Sequence, residues 1–480
     1  MIVATRARPR REEARFVLHI PGEALDARAA TVECARPAAL NRSDGVGMSE
    51  REAFIEAIAA NPGESAARLA FADWLQEHGE EERAEFVRRS HELLARLSEV
   101  AWAPPFPADV LGAQERVREL FESHGAGWLE PFCRALGTKE PVPVRRKRWL
   151  SRLWLRVATG AADRMFGGPR RLRGSLDDFR FGHARVEGWP RGPVKSLDVH
   201  HGLVTQLEID LGSPLPIRDA GAAFRLEPVN RLSVRIADAP DQWRRLNAPC
   251  LARVTSLTVE VGGDHATGAA ETFEKIGRGE NWSGVDDFHL RGDFLRPVPH
   301  EYVERLARSP LLPGLRSLSV TTDFPDLRPL AASPLLSDLQ TFGVWGHRLP
   351  DDAADVIGRA AFRPNLEELD LSMTHLGNDG AERLAAVAWP KLRALEFGFN
   401  ELSDAGVRSL LPLVPQLSGL GLAGNALTDT GALVLADAID PEKLESLWLS
   451  YNPLSPRAVA ALRDRFGPRF HFRSREEDGL

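Results

Sequence analysis

A chain of 480 residues exceeds what one compact core accommodates, so several domains or a repeat array are expected. Hydrophobic residues make up 43%, charged residues 27%, and mean hydropathy is −0.25, the balance of a water-soluble globular protein. The net charge of −7 argues neither for nor against nucleic acid, and the isolated Cys34, Cys133 and Cys250 support neither a disulfide framework nor a cysteine zinc site. No run approaches the ~18 apolar residues of a membrane helix. The N-terminus is Arg-rich and lacks a hydrophobic signal core, so a reducing cytoplasm is the expected compartment.

In residues 1–47, arginines and Pro9, Pro21 and Pro37 break every period, which predicts disorder or an extension ahead of a true start at Met48. Order begins at Met48. Ser49 and Glu52 make a capping box, Phe54, Ile55 and Ile58 recur at helical spacing, and Asn61-Pro62-Gly63 stops the helix. A second helix carries Leu69, Ala72, Trp74 and Leu75 and ends at Gly79; a third carries Ala84, Phe86, Val87, Leu93, Leu94 and Leu97. The stretch FADWLQEHG, Phe71–Gly79, offers Asp73, Glu77 and His78. No serine or cysteine nucleophile stands beside them, so they are expected on the polar side or at the end of helix two.

The segment REAFIEAIAANPGESAARLAFADWLQEHGEEERAEFVR, within Met48–Leu97, resembles the bacterial repeat-companion domain, which precedes leucine-rich or similar repeats. GWLEPF (Gly127–Phe132) and HGLVTQLEI (His201–Ile209) resemble segments that follow it. The resemblance implies architecture, a helical domain over 48–138 ahead of repeats, and carries no activity.

Residues 139–200 form a basic connecting segment. Within 145–173, ten Lys/Arg stand against the single acid Asp163. As a helix, Trp149, Leu150, Leu153, Trp154 and Val157 share one side. Arg145, Arg146, Lys147, Arg148, Arg152 and Arg156 supply charge. Docking onto a neighbouring domain, contact with an anionic membrane surface and contact with nucleic-acid phosphates are the three readings.

Residues 201–480 carry a period. LEELDLSMTHL begins at Leu366, LRALEFGFNEL at Leu392, LSGLGLAGNAL at Leu417 and LESLWLSYNPL at Leu444, in steps of 26, 25 and 27. Each fits L-x-x-L-x-L-x-x-N-x-L, with Thr374 for asparagine in the first, inside the range for leucine-rich repeats. Asn378, Ser403, Thr428 and Ser455 are expected to cap the returning helices, and the DAG and DTG motifs that follow resemble the ribonuclease-inhibitor class of leucine-rich repeat. The pattern decays upstream through Leu339, Leu315, Val285, Val254, Val229 and Val204, with His347 and Asp293 at asparagine positions, giving about ten strands and irregular early coils. Arg469–Phe472 is a candidate closing strand. The predicted fold is therefore α/β: a leucine-rich-repeat solenoid with parallel strands on the concave face and helices on the convex face, preceded by a small all-α domain.

Non-leucine strand positions project from the concave face. These columns predict an exposed surface built from Trp345, Glu368, Asp370, Met373, Glu396, Phe399, Trp448 and Tyr451, with a shallow gap at Gly421, Ala423 and Gly424. The acids suggest a partner with basic groups. No P-loop, HExxH, GxSxG or Rossmann glycine signature occurs, and adjacent His200 and His201 on one strand would point to opposite faces. The expected function is a non-enzymatic, monomeric protein–protein interaction scaffold without cofactor, metal or catalytic residues. The alternative is nucleic-acid or anionic-membrane association through residues 145–173.

Overall fold

The computed structural model describes residues 48–99, 108–138, 183–187, 193–213, 217–236, 246, 248–261, 281–292, 300–309, 314–321, 326–345 and 348–474. The basic segment 145–173, Asp293, His347 and Cys34 lie outside them. Three helices appear where the sequence places them: α1 (Glu50–Ala60), α2 (Ser65–Glu77) and α3 (Glu81–Glu99). The Ser49/Glu52 capping box is formed in both directions. Gly79 takes φ +80°, the left-handed turn that lets α2 stop. A further helix, α4 (Ala108–Ala135), adds Val117, Leu120, Phe121, Leu129 and Phe132 to the main core.

The sheet has thirteen strands among the described residues, ordered as in the sequence. It opens with an antiparallel meander of β1 (His183–Glu187), β2 (Val194–His200) and β3 (Leu203–Asp210), so two strands precede the first one expected. Every later strand is parallel to its neighbour: β4 (Arg231–Ile236), β5 (Ser256–Val261), β6 (Asp287–Gly292), β7 (Ser317–Val320), β8 (Thr341–Val344), β9 (Glu368–Asp370), β10 (Ala394–Glu396), β11 (Gly419–Gly421), β12 (Ser446–Trp448) and β13 (Phe470–His471). The strand β13 falls within the expected closing segment. Between strands the chain returns through helices that include α5 (Ala220–Leu226), α6 (His300–Leu306), α7 (Arg328–Ala331), α8 (Ala353–Gly358), α9 (Gly377–Ala385), α10 (Asp404–Leu410), α11 (Asp429–Ala438) and α12 (Pro456–Phe466). This is the leucine-rich-repeat solenoid that the lattice predicts.

Each coil alone has one apolar edge and nothing to bury it against; stacking supplies the partner. Leu369, Leu371, Leu395, Phe397, Leu420, Leu422, Leu447 and Leu449 all point into one continuous core. A second device fastens the turns. Asn425 accepts hydrogen bonds from the N–H groups of Asn400 and Leu402 and donates to the carbonyls of Phe397 and Leu422. Asn400 and Asn452 repeat the arrangement one coil away, and the Thr374 hydroxyl donates to the Leu371 carbonyl.

The DAG and DTG motifs also link coils. The Asp404 carboxylate accepts from the Thr428 N–H, and Asp429 from the Ser455 N–H. Glycine follows two residues later in each motif because a Cβ on Gly431 would meet Asp404 Oδ1 at 2.2 Å. Ser403, Thr428 and Ser455 cap their helices as expected. Asn378 does not: α9 is preceded by Leu376 without a side-chain cap, and Asn378 occupies the Asp404 position, accepting from the Ser403 N–H at 3.0 Å.

The helical domain is seated on the start of the sheet. Leu203 completes the small core of Ile55, Ile58, Phe71, Ala72, Leu75, Ala84 and Val87. A Cβ on Gly202 would meet Val87 Cα at 2.8 Å, so only glycine allows this approach. Arg83 and Glu227 form an ion pair beneath the junction, and the Glu227 carboxylate also accepts from the Val204 N–H.

Candidate protein-binding face

Register decides which outward residues are neighbours. Thr341, Glu368 and Ala394 form one row, and Gly343, Asp370, Glu396, Gly421, Trp448 and His471 form the next. The expected exposed surface needs two corrections. Asp370 is 1% exposed and Tyr451 7%, so neither offers an open side chain. Glu368, Met373, Glu396, Phe399, Trp345 and Trp448 are half-buried.

The gap expected at the glycines is filled from within. A Cβ on Gly421 would meet Glu396 Oε2 at 1.6 Å, so the glutamate arm leans across β11 toward Trp448. A Cβ on Gly424 would meet Phe399 ring carbons at 2.3 Å, so that ring lies over the next coil. Met373, Phe399 and Tyr451 share the left-handed backbone of Gly424, with φ between 54° and 61°. Such a conformation costs a non-glycine residue about 1 kcal/mol or more. Phe399 is held there by packing on Gly424, with the Tyr451 ring centroid 6.3 Å away.

Burial dominates the electrostatics of the row. It pushes the Asp370 carboxyl up to about 7, although its Oδ1 accepts from the Ser372 N–H at 2.9 Å. Burial, then the charges of Asp370 and Glu368, hold the Glu396 carboxyl well above the usual carboxylate range. A raised carboxyl binds its proton more tightly in the folded chain. Its stabilising contribution is therefore complete below the unfolded value of about 3.8 and is lost as pH rises through about 7. Urea midpoints are expected to fall from pH 6 to pH 8 in the wild type and to fall less in Asp370→Asn. Parallel pH profiles for the two proteins would remove Asp370 as the titrating group.

The two halves of the face differ in charge. On the early strands, cations meet anions or a ring: Lys195 lies 3.3 Å from Asp210, Arg235 3.3 Å from Glu260, and the Arg291 guanidinium 5.9 Å from the Trp345 ring centre. Strands β9–β12 carry Glu368, Asp370 and Glu396 and contain no lysine or arginine. Trp345 Nε1 donates to Ser319 Oγ at 3.2 Å, and Trp448 stacks on His471 with ring centroids 4.0 Å apart. These two indoles flank the acidic strands.

Other candidate residues take quieter roles. Phe71, Ala72 and Leu75 face the helical core, Asp73 receives a hydrogen bond from Arg88 at 2.6 Å, and His78 stacks on Trp74. FADWLQEHG is thus a packed amphipathic helix. Burial pushes the Cys133 thiol up to about 12 and the Cys250 thiol up to about 11, the opposite of an activated nucleophile. Among the described residues no group of three or more His, Cys, Asp or Glu is placed to hold a metal ion, and no helix is long and apolar enough to cross a membrane.

The parallel sheet and its returning helices are those of a leucine-rich-repeat solenoid. Residues 364–385 and 390–411 match the family model described as Leucine Rich repeat. The chain is similar to the Tonsoku-like protein of Mus musculus, 31% identical over 169 residues, covering 32% of this chain and 11% of that protein. It is also similar to the Tonsoku-like protein of Bos taurus, 28% identical over 227 residues, covering 44% of this chain and 15% of that protein. The chain therefore spans a small part of the length of these curated relatives.

Proposed function

We propose that this chain is a non-enzymatic interaction scaffold that holds a protein partner on the concave face of β9–β12, through a segment bearing lysine or arginine. The observation that carries this reading is the contrast along the sheet: β2–β6 carry lysine or arginine beside acids, whereas β9–β12 carry acids and no lysine or arginine, between Trp345 and Trp448. Half-buried indoles of this kind supply contact area with little entropy to lose, and a lysine or arginine brought beside the row favours the charged form of its raised carboxyls. The helical domain of residues 48–138 is proposed as a repeat-companion-like unit that closes the start of the solenoid. A reducing compartment and a monomeric state complete the reading.

The test is affinity capture from the native cell with the full chain, comparing wild type with Trp345→Ala/Trp448→Ala at matched circular dichroism. Recovery of at least one partner is expected to fall about tenfold or more with the double variant, and to weaken with added salt. Equal recovery of every partner by both proteins rejects the concave-face reading.

A further inference from the structure

Three imidazoles meet where the helical domain sits on the sheet. His91 projects from α3, His200 ends β2, and His201 occupies the β2–β3 turn with φ +51°. The His91 and His201 ring centroids are 5.8 Å apart, and those of His200 and His201 4.2 Å, edge to face. Strand alternation alone would set adjacent His200 and His201 on opposite faces; the turn instead brings them together.

The groups around the cluster carry both signs of charge. Arg68 of α2 is 3% exposed and its charge acts on His91; Glu92, the next residue on α3, acts in the other direction. On β1, His183 is the register partner of His200, and on β2 the buried Asp198 lies two residues earlier. Close by, the Arg83–Glu227 pair balances its own charge. Burial first, then Arg68, lowers the His91 imidazole below its usual range. The seam itself is tight, with Gly202 against Val87 and Leu203 completing the helical core.

We propose that the His91–His200–His201 cluster makes the seating of the helical domain on the solenoid sensitive to pH: neutral rings pack the junction, and protonated rings release it. The sign follows from proton linkage. A released His91 titrates near 6.5, whereas the seated one resists protonation, so as pH falls below about 6.5 the released form takes up protons that the seated form does not. One unit of unbalanced titration on a single imidazole shifts the equilibrium about tenfold. The solenoid carboxyls Asp370 and Glu396 titrate with the opposite sign, so a local readout separates the two effects.

Hydrogen exchange on the full chain provides that readout. Between pH 7.5 and 5.5, after correction for intrinsic rates, protection of α1–α3 amides is expected to fall about tenfold relative to β10–β12 amides. His91→Gln, neutral throughout, is expected to keep its protection at pH 5.5, and His91→Lys, charged throughout, to show low α1–α3 protection already at pH 7.5. Unchanged relative protection in the wild type, or an equal fall in wild type and His91→Gln, overturns the proposal. Should His91→Gln loosen the junction at pH 7.5 by itself, the wild-type pH series and His91→Lys decide.

Discussion

Replacing Asn425 with alanine is expected to destabilise the protein by about 3–5 kcal/mol, measured as a lower urea midpoint at unchanged slope. The side chain is 5% exposed and serves four main-chain groups: the N–H of Asn400 and of Leu402, and the carbonyls of Phe397 and Leu422. Alanine removes their partner without admitting water, and each buried unsatisfied group costs about 1–3 kcal/mol before relaxation. Asn425→Thr is expected to recover part of the loss. Thr374 already stands at this position two coils earlier, and its hydroxyl donates to the Leu371 carbonyl at 2.6 Å. Ser409→Ala, on the outer surface of α10, serves as the near-neutral control. A cost below about 1 kcal/mol for Asn425→Ala would show that the ladder merely accompanies the fold.

The lattice was legible because its physics is local. Leucines at fixed intervals specify the inward side of each strand, and asparagine specifies the turn, so ten strands and their order follow from spacing alone. The strand β2 was missed for a related reason. Val194, Leu197 and Val199 enter the core, but Ser196 and Asp198 are buried as well, which leaves no clean alternation to detect. The helix α4 was missed because Gly112, Gly125, Gly127 and Pro131 interrupt its apolar pattern.

The candidate face was legible in position but not in exposure. Column counting assigns each side chain to the space above its own strand, and long side chains do not stay there. Glu396 crosses to Gly421 and Phe399 to Gly424, so the glycines that promised a cleft are receptors for the protein's own residues. Burial of Asp370 likewise depends on neighbours in adjacent coils, which no single repeat encodes. What sequence did identify was the local excess of acid between two tryptophans.

Arg83→Met is expected to cost about 3–5 kcal/mol, because it leaves Glu227 charged and unpaired in the junction. The side chains are 5% and 2% exposed, and the partners lie 144 residues apart in sequence, which is why no local pattern announced the pair. Removing Arg83 takes away the guanidinium donor, while the Val204 N–H still bonds the other carboxylate oxygen of Glu227. The double variant Arg83→Met/Glu227→Gln is expected to regain more than half of the loss: the amide oxygen can accept from Val204, and no buried charge remains. A double-mutant cycle in urea measures the coupling. Coupling near zero would mean that the two side chains are solvated in solution, and that apolar packing around Leu203 holds the helical domain on the solenoid without them.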